Sequence, residues 1–189
     1  MKTLDFTLLA YLIGCFSTSY YLVRWRTGQD IRQLGTGTAG GRNAGRVLGK
    51  SGAIVVILGD MLKGVLAVAV ATWAGLAGWG IMLVLLAVMI GHIWPAQLGW
   101  HGGKGLATGI GALAVVDWQL ALIIVLLAGL ASILTRKVTI SVMLSVVISP
   151  ILALLLSRPW PIVGGVALAA GLTLFAHRDN LQTIRRLRR

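Results

Sequence analysis

Two short glycine-rich stretches in this sequence combine residues able to bind an anion. Residues 35–51 read GTGTAGGRNAGRVLGKS, and residues 102–108 read GGKGLAT. In the first, six glycines between 35 and 49 let backbone N–H groups turn toward one point, and Arg42, Arg46 and Lys50 supply positive charge. Thr36, Gly37, Gly40 and Asn43 stand in the same stretch. In the second, Gly102-Gly103-Lys104-Gly105 forms a tight turn just before a small-residue helix. The helix N–H groups and dipole would then face an anion that Lys104 neutralises. Two such loops on one side of a protein suggest a site for two phosphates.

Two further groups carry charge where charge is unusual. Asp60 and Lys63 lie three residues apart, on one helix face, inside an apolar run. Charges inside a membrane mark function or form a mutually satisfied pair; either way Asp60 is expected to organise the site by pairing with Lys63 or a loop cation. His177 ends the last apolar run, with Arg178 and Asn180 beside it. By itself that pattern reads as a helix terminus whose cations suit the macrodipole. Cys15 is the one cysteine, so there is no disulfide framework or thiolate metal site. The preceding Leu12-Ile13-Gly14 resembles a lipoprotein signal, but Lys2 offset by Asp5 is too weak a basic start for one. The sequence calls for neither metal nor cofactor.

The elements that must hold these residues follow from composition. A 189-residue chain that is 57% hydrophobic and 12% charged, with mean hydropathy +0.88, has too little polar surface for a soluble domain. Apolar stretches lie near 4–23, 52–77, 79–99, 118–135, 138–157 and 160–176, with a shorter one near 105–116. They predict an all-α integral membrane protein, a seven-span helical bundle with glycine-rich cytoplasmic loops, forming one polytopic domain over residues 1–189. With the N-terminus outside, all but Lys2, Lys63 and Arg158 of the 17 Lys and Arg residues are cytoplasmic, as the positive-inside rule requires. Trp25, Trp79, Trp100, Trp118 and Trp160 fall near span ends, where interfacial anchors belong.

This frame excludes two function classes. Gly35-x-Gly37-x-x-Gly40 and Ala44-x-x-x-x-Gly49-Lys50-Ser51 fit nucleotide-binding signatures, yet both need a strand before the loop, and a membrane helix stands there instead. The net charge of +12 is divided among loops rather than gathered on a groove-binding element, which argues against nucleic acid. Anionic lipid and phosphorylated small molecules are the expected partners. The paired halves with broken helices that mark many transporters are not visible.

Six motifs in order resemble those of the bacterial acyl-phosphate-dependent glycerol-3-phosphate acyltransferases. They are Gln29-Asp30-Ile31-Arg32, the glycine loop 35–49, Gly59-Asp60-x-x-Lys63-Gly64, Gly91-His92-x-x-Pro95, Gly102-Gly103-Lys104-Gly105-x-Ala107-Thr108 and His177-Arg178-x-Asn180. The resemblance runs from about residue 11 to 187. It implies a bacterial inner-membrane enzyme whose cytoplasmic site moves a fatty acyl group from acyl phosphate to the sn-1 hydroxyl of glycerol 3-phosphate. It also implies that Lys104 and the backbone of 102–105 hold a phosphate, with Thr36, Arg46, Asn43, His177 and Asn180 around the acceptor. Asp60, Lys63 and His92 are expected to organise the site. Acyl phosphate is already activated, so no covalent acyl-enzyme is needed, which suits a chain without Gly-x-Ser-x-Gly or His-x-x-x-x-Asp.

The first loop departs from the family's usual pattern. Thr38 stands where an asparagine is common and Arg42 where a threonine is common, putting an extra charge beside the expected acceptor site. His101 replaces a common lysine. A paralogue acylating another acceptor is one alternative reading. A small channel or permease for phosphorylated solutes, with the basic loops as an entry field, is the other.

Overall fold

Without water to bond, the backbone of an apolar run inside a bilayer must satisfy itself, and a helix does so within one segment. The computed structural model describes residues 2–178; Asn180 and the rest of the basic tail lie outside them. Eight helices form among the described residues: α1 (Lys2–Cys15), α2 (Thr18–Thr27), α3 (Gly41–Trp73), α4 (Trp79–Ile93), α5 (Leu106–Val116), α6 (Trp118–Thr135), α7 (Val138–Leu155) and α8 (Trp160–Ala176). Helices α1 and α2 together make one broken span, so the all-α, seven-span expectation agrees with the structure. Among the described residues, five stretches are long and apolar enough to cross a membrane: Lys2–Thr27, Gly41–Trp73, Trp79–Leu98, Trp118–Thr135 and Val138–Leu155. Helix α8 has 17 residues, whereas α5 has 11 and reaches only about 16 Å, half a hydrocarbon core.

Helix α4 is the enclosed centre, with Met82, Val84, Leu85, Val88 and Met89 nearly inaccessible. Its partners approach closely through small residues, as helices in lipid do. A Cβ on Gly91 would sit 2.1 Å from the Tyr11 carbonyl oxygen, and one on Gly14 would sit 2.2 Å from that of Val88, so α1 and α4 touch backbone to backbone. Gly64 and Gly111 do the same for α3 and α5, with 2.2 Å to the carbonyl oxygens of Thr108 and Met61.

Helix α3 is two arms rather than one rod. Gly49, at φ 77° and ψ −172°, interrupts it, and the short arm 41–48 doubles back along the long arm. A Cβ at Gly41 would meet the Ile57 side chain at 2.6 Å and one at Gly45 would meet Ala53 at 3.0 Å. In a straight helix residues 41 and 57 would be about 24 Å apart. The fold-back buries Ala44 against Val23, Ile31, Ala39 and Val56, a small core separate from the main one. In α7, Pro150 deprives the Val146 carbonyl of its usual donor, and the Ser149 hydroxyl supplies one at 2.7 Å. At the end remote from Lys104, Asp117 caps α6 through Leu120 N (3.0 Å) and pairs with Arg158 (2.7 Å), fastening the α5–α6 turn to the α7–α8 loop.

Candidate active site

The site is built from the base upward by the broken first span. Between α1 and α2 the helix stops at Phe16, leaving carbonyls without intrahelical donors. Lys63, from α3, donates to the carbonyls of Gly14 (3.1 Å) and Phe16 (2.6 Å) and to His92 Nδ1 of α4 (2.7 Å). Asp60 neutralises Lys63 at 3.2 Å and accepts from the Thr18 hydroxyl at 3.1 Å. The Asp60 and Lys63 side chains are 4% and 6% exposed, so neither charge has water to fall back on. The expectation that Asp60 pairs with Lys63 agrees with this geometry, and His92 completes a set joining three spans. Because Lys63 donates to Nδ1, His92 is neutral with its proton on Nε2.

On this base sits the Gly-Gly-Lys-Gly turn. Gly102 N bonds to the Ile93 carbonyl (3.1 Å) and Gly103 N to that of His92 (3.0 Å), sewing the turn to the end of α4. The position of Gly103 admits no side chain: a Cβ would lie 2.1 Å from His92 Nε2 and 2.7 Å from the Ala39 carbonyl oxygen. Gly105, at φ 77°, reverses the chain into α5. The first helical bond runs from Gly109 N to Gly105 O, and among the described residues no side chain caps the helix. The N–H groups of Leu106, Ala107 and Thr108 thus lack intrahelical acceptors and face outward from the helix end, next to Lys104.

The first glycine loop is joined to this turn by Ala39 N, which donates to the Gly102 carbonyl at 3.3 Å. Arg32 adds a second tie, donating to the Leu98 carbonyl at 2.5 Å while it pairs with Asp30 at 2.6 Å. The Arg32 guanidinium holds the Asp30 carboxyl below the usual carboxylate range, through hydrogen bonding and charge that outweigh burial. Asn43 is the loop's central post. Its oxygen accepts from Thr36 N (2.9 Å), and its amide donates to the carbonyls of Ile31 (3.2 Å), Leu34 (2.9 Å) and Thr38 (3.1 Å). Gly37 N and Gly40 N bond to Leu34 O and Thr38 O, each at 3.0 Å.

That accounting differs from the expected cradle. The N–H groups of residues 36, 37, 39 and 40 are committed inside the protein, and so is Asn43, because a loop of this curvature must satisfy its own backbone. What the first loop offers a ligand is its rim. The Thr36 and Thr38 hydroxyls lie 3.0 Å apart there, and Arg42 and Arg46 are exposed on the short arm of α3. Arg42 reaches across to donate to the Thr139 hydroxyl on the first turn of α7. Arg178 turns back over the Phe175 ring (4.3 Å) and donates to the Phe175 carbonyl.

His177 faces these loops from the end of α8. It is buried, and its Nδ1 lies 2.8 Å from the Thr173 carbonyl oxygen. A carbonyl only accepts, so Nδ1 carries a proton, and in the neutral ring the lone pair is on Nε2. Burial pushes the imidazole pKa down; the Thr173 bond opposes this, and the nearby Lys104 charge lowers it further. His177 is therefore neutral at pH 7, with its basic nitrogen at Nε2. The second turn, the first loop and His177 meet at one end of the bundle. Arg32, Thr18, Thr173 and Thr139 were not among the expected site residues. Of these, only Arg32 left a trace in the sequence, as the last residue of the Gln29-Asp30-Ile31-Arg32 motif.

The family model for "Glycerol-3-phosphate acyltransferase" matches residues 4–187. The chain belongs to that family. It is 43% identical over 173 residues to glycerol-3-phosphate acyltransferase 1 of Desulfitobacterium hafniense, covering 92% of this chain and 86% of that protein. With glycerol-3-phosphate acyltransferase 1 of Deinococcus radiodurans it is 40% identical, covering 94% and 89%. Among solved structures it is similar to PlsY (YgiH), an integral membrane glycerol 3-phosphate acyltransferase, in its glycerol 3-phosphate form. There the TM-score is 0.92 and the identity 26%, over 100% of this chain and 94% of that one. The fold of the lysophosphatidic acid form of PlsY is likewise shared, with TM-score 0.89. This family member is thus an integral membrane protein with its glycine loops, Lys104 and His177 gathered at one end.

Proposed function

We propose that this chain transfers a fatty acyl group from acyl phosphate to the sn-1 hydroxyl of glycerol 3-phosphate, giving lysophosphatidic acid and inorganic phosphate. The observation that carries the reading is the neutral His177, its proton on Nδ1, beside Lys104 and the start of α5, which no side chain among the described residues caps. Lys104 and the N–H groups of residues 106–108 would hold a phosphate, and Thr36, Arg46 and Asn180 would surround the acceptor. Gly37, Gly40 and Asn43 support that rim from behind. The acceptor oxygen attacks the acyl carbonyl, its proton passes to His177 Nε2 or to the substrate's own phosphate, and the carbon–oxygen bond to the departing phosphate breaks. Charge developing on the carbonyl oxygen is met by the helix N-terminus and Lys104. The Lys and Arg distribution supports a cytoplasmic place for this end with the N-terminus outside, and the family resemblance supports a bacterial inner membrane.

Purified protein given acyl phosphate and glycerol 3-phosphate should form lysophosphatidic acid and release phosphate in equal amounts. Lys104→Ala and His177→Ala should each lower turnover by at least about a hundredfold. Phosphate release only with another acceptor would favour the paralogue, for which Thr38 and Arg42 are the motivating departures. Solute flux in liposomes without any turnover would overturn the enzyme reading.

A further inference from the structure

Arg42 and Arg46 are one helical turn apart on the short arm of α3, so both side chains stand exposed on one face of it. The backbone beneath them is fixed. Asn43 is held by Thr36 N and by the carbonyls of Ile31, Leu34 and Thr38, Ala44 is wholly buried, and Gly41 and Gly45 lie against Ile57 and Ala53 of the long arm. Only the arginine side chains are left to move. Arg42 brings its guanidinium to the position where the first loop departs from the usual threonine, and its Nη1 donates to the Thr139 hydroxyl on the first turn of α7. Around the bundle, α3 packs on α5, α5 on α6 and α6 on α7. The Arg42–Thr139 bond therefore spans the end of the bundle at which α5 begins, next to Lys104.

Thr139 is a weak partner for such a group. Its hydroxyl offers one oxygen and no charge, whereas a guanidinium presents a planar fork of donors matched to two oxygens of a phosphate. Hydrogen bonds to ionised groups are about twice as strong as those between neutral ones. We infer that Arg42 is an acceptor-binding residue that exchanges the Thr139 hydroxyl for the phosphate of incoming glycerol 3-phosphate. The inference rests on the acyl-transfer reading above and adds to it a residue that selects the acceptor by charge. Arg46 on the same face and the Thr36 and Thr38 hydroxyls, 3.0 Å apart at the rim, place Arg42 on the acceptor's side of the site. An acceptor without a phosphate leaves the guanidinium on Thr139.

The test separates KM from kcat, with glycerol 3-phosphate and a long-chain acyl phosphate as substrates. Arg42→Met should raise the acceptor KM at least about tenfold, the scale of a lost hydrogen bond to a charged group, with kcat and the donor KM within about threefold of wild type. Arg42→Lys keeps the charge without the fork and should recover part of the loss. Thr139→Val releases the guanidinium beforehand and should lower the acceptor KM by about twofold. Calorimetric titration of glycerol 3-phosphate without donor should rank the variants in the same order by Kd. An acceptor KM unmoved by Arg42→Met, or a loss confined to kcat, overturns the inference. So does a Thr139→Val KM at or above wild type, which would make the pair a fixed brace. These outcomes leave acyl transfer intact. A wild type that binds glycerol 3-phosphate without turnover overturns the acyl-transfer reading and leaves Arg42 to be decided by Kd; one that does neither overturns both.

Discussion

Replacing Lys63 with methionine removes one nitrogen and leaves four groups without their donor. Asp60 keeps only the Thr18 hydroxyl at 3.1 Å, and the carbonyls of Gly14 and Phe16 and His92 Nδ1 lose the ammonium that lay within 3.1 Å of each. Removing one partner of a buried ion pair costs about 3–5 kcal/mol. Each stranded acceptor adds about 1–3 kcal/mol. Lys63→Met should therefore destabilise by more than about 5 kcal/mol, which is most of the stability of a typical domain. Asp60→Asn is a different perturbation. The amide oxygen can still accept from Thr18 and Lys63, and Lys63 keeps its two carbonyls and His92 as acceptors, so the cost stays near the lower end, about 3 kcal/mol, of that for a broken buried pair, with no acceptor stranded besides. Thermal unfolding in detergent separates the two, because about 1 kcal/mol moves the midpoint of a chain this size by roughly 2–4 °C. Lys63→Met should drop it by more than about 10 °C and Asp60→Asn by clearly less. If Asp60→Asn is the more damaging, the pair exists for the carboxylate, and the role assigned to Lys63 as the cap of the broken first span is wrong.

Two other outcomes follow from the site itself. Gly103→Ala pushes a methyl into His92 and the Ala39 carbonyl, so activity should fall by about tenfold or more, on the scale of about 1–3 kcal/mol for overpacking; normal turnover would show that the two loops need not touch. Because burial and Lys104 depress the His177 pKa, the folded protein holds the imidazole neutral at pH values where an unfolded chain, near 6.5, has begun to protonate it. The acid limb of kcat/KM should therefore lie below pH 6.5 in wild type. The same group contributes stability above that pH, and the contribution is lost as pH falls through the lowered value. An acid limb at or above 6.5 would remove His177 as the base.

The number and placement of the spans were legible because moving an apolar run into lipid is a local property of that run, summed residue by residue. The same holds for the Gly-Gly-Lys-Gly turn opening α5, since glycine's freedom and the helix dipole act over a few residues. The spacing of Asp60 and Lys63 put them on one helix face, and the structure chose Lys63 over a loop cation as the partner of Asp60. The fold-back of α3 at Gly49 left no such mark, for both arms read as helix and Gly49 looks like its neighbours. Nor did the commitment of Asn43 to three carbonyls, which depends on how residues 31–38 curl around it, or the reach of Arg42 to Thr139, a residue 97 positions away.

The sequence by itself determined that this is a helical membrane protein with two glycine-rich, cationic loops, a buried charge pair and a terminal histidine. Only the tertiary structure decided which donors remain for a ligand. In the first loop the backbone turns inward to satisfy itself, which leaves the Thr36, Thr38 and Arg46 side chains at its rim. At the start of α5 no side chain among the described residues caps the helix, so its first N–H groups, next to Lys104, lack intrahelical acceptors. The reason is that a hydrogen bond between distant residues takes its partner from the packing of several spans, and no stretch of the chain read alone contains that packing.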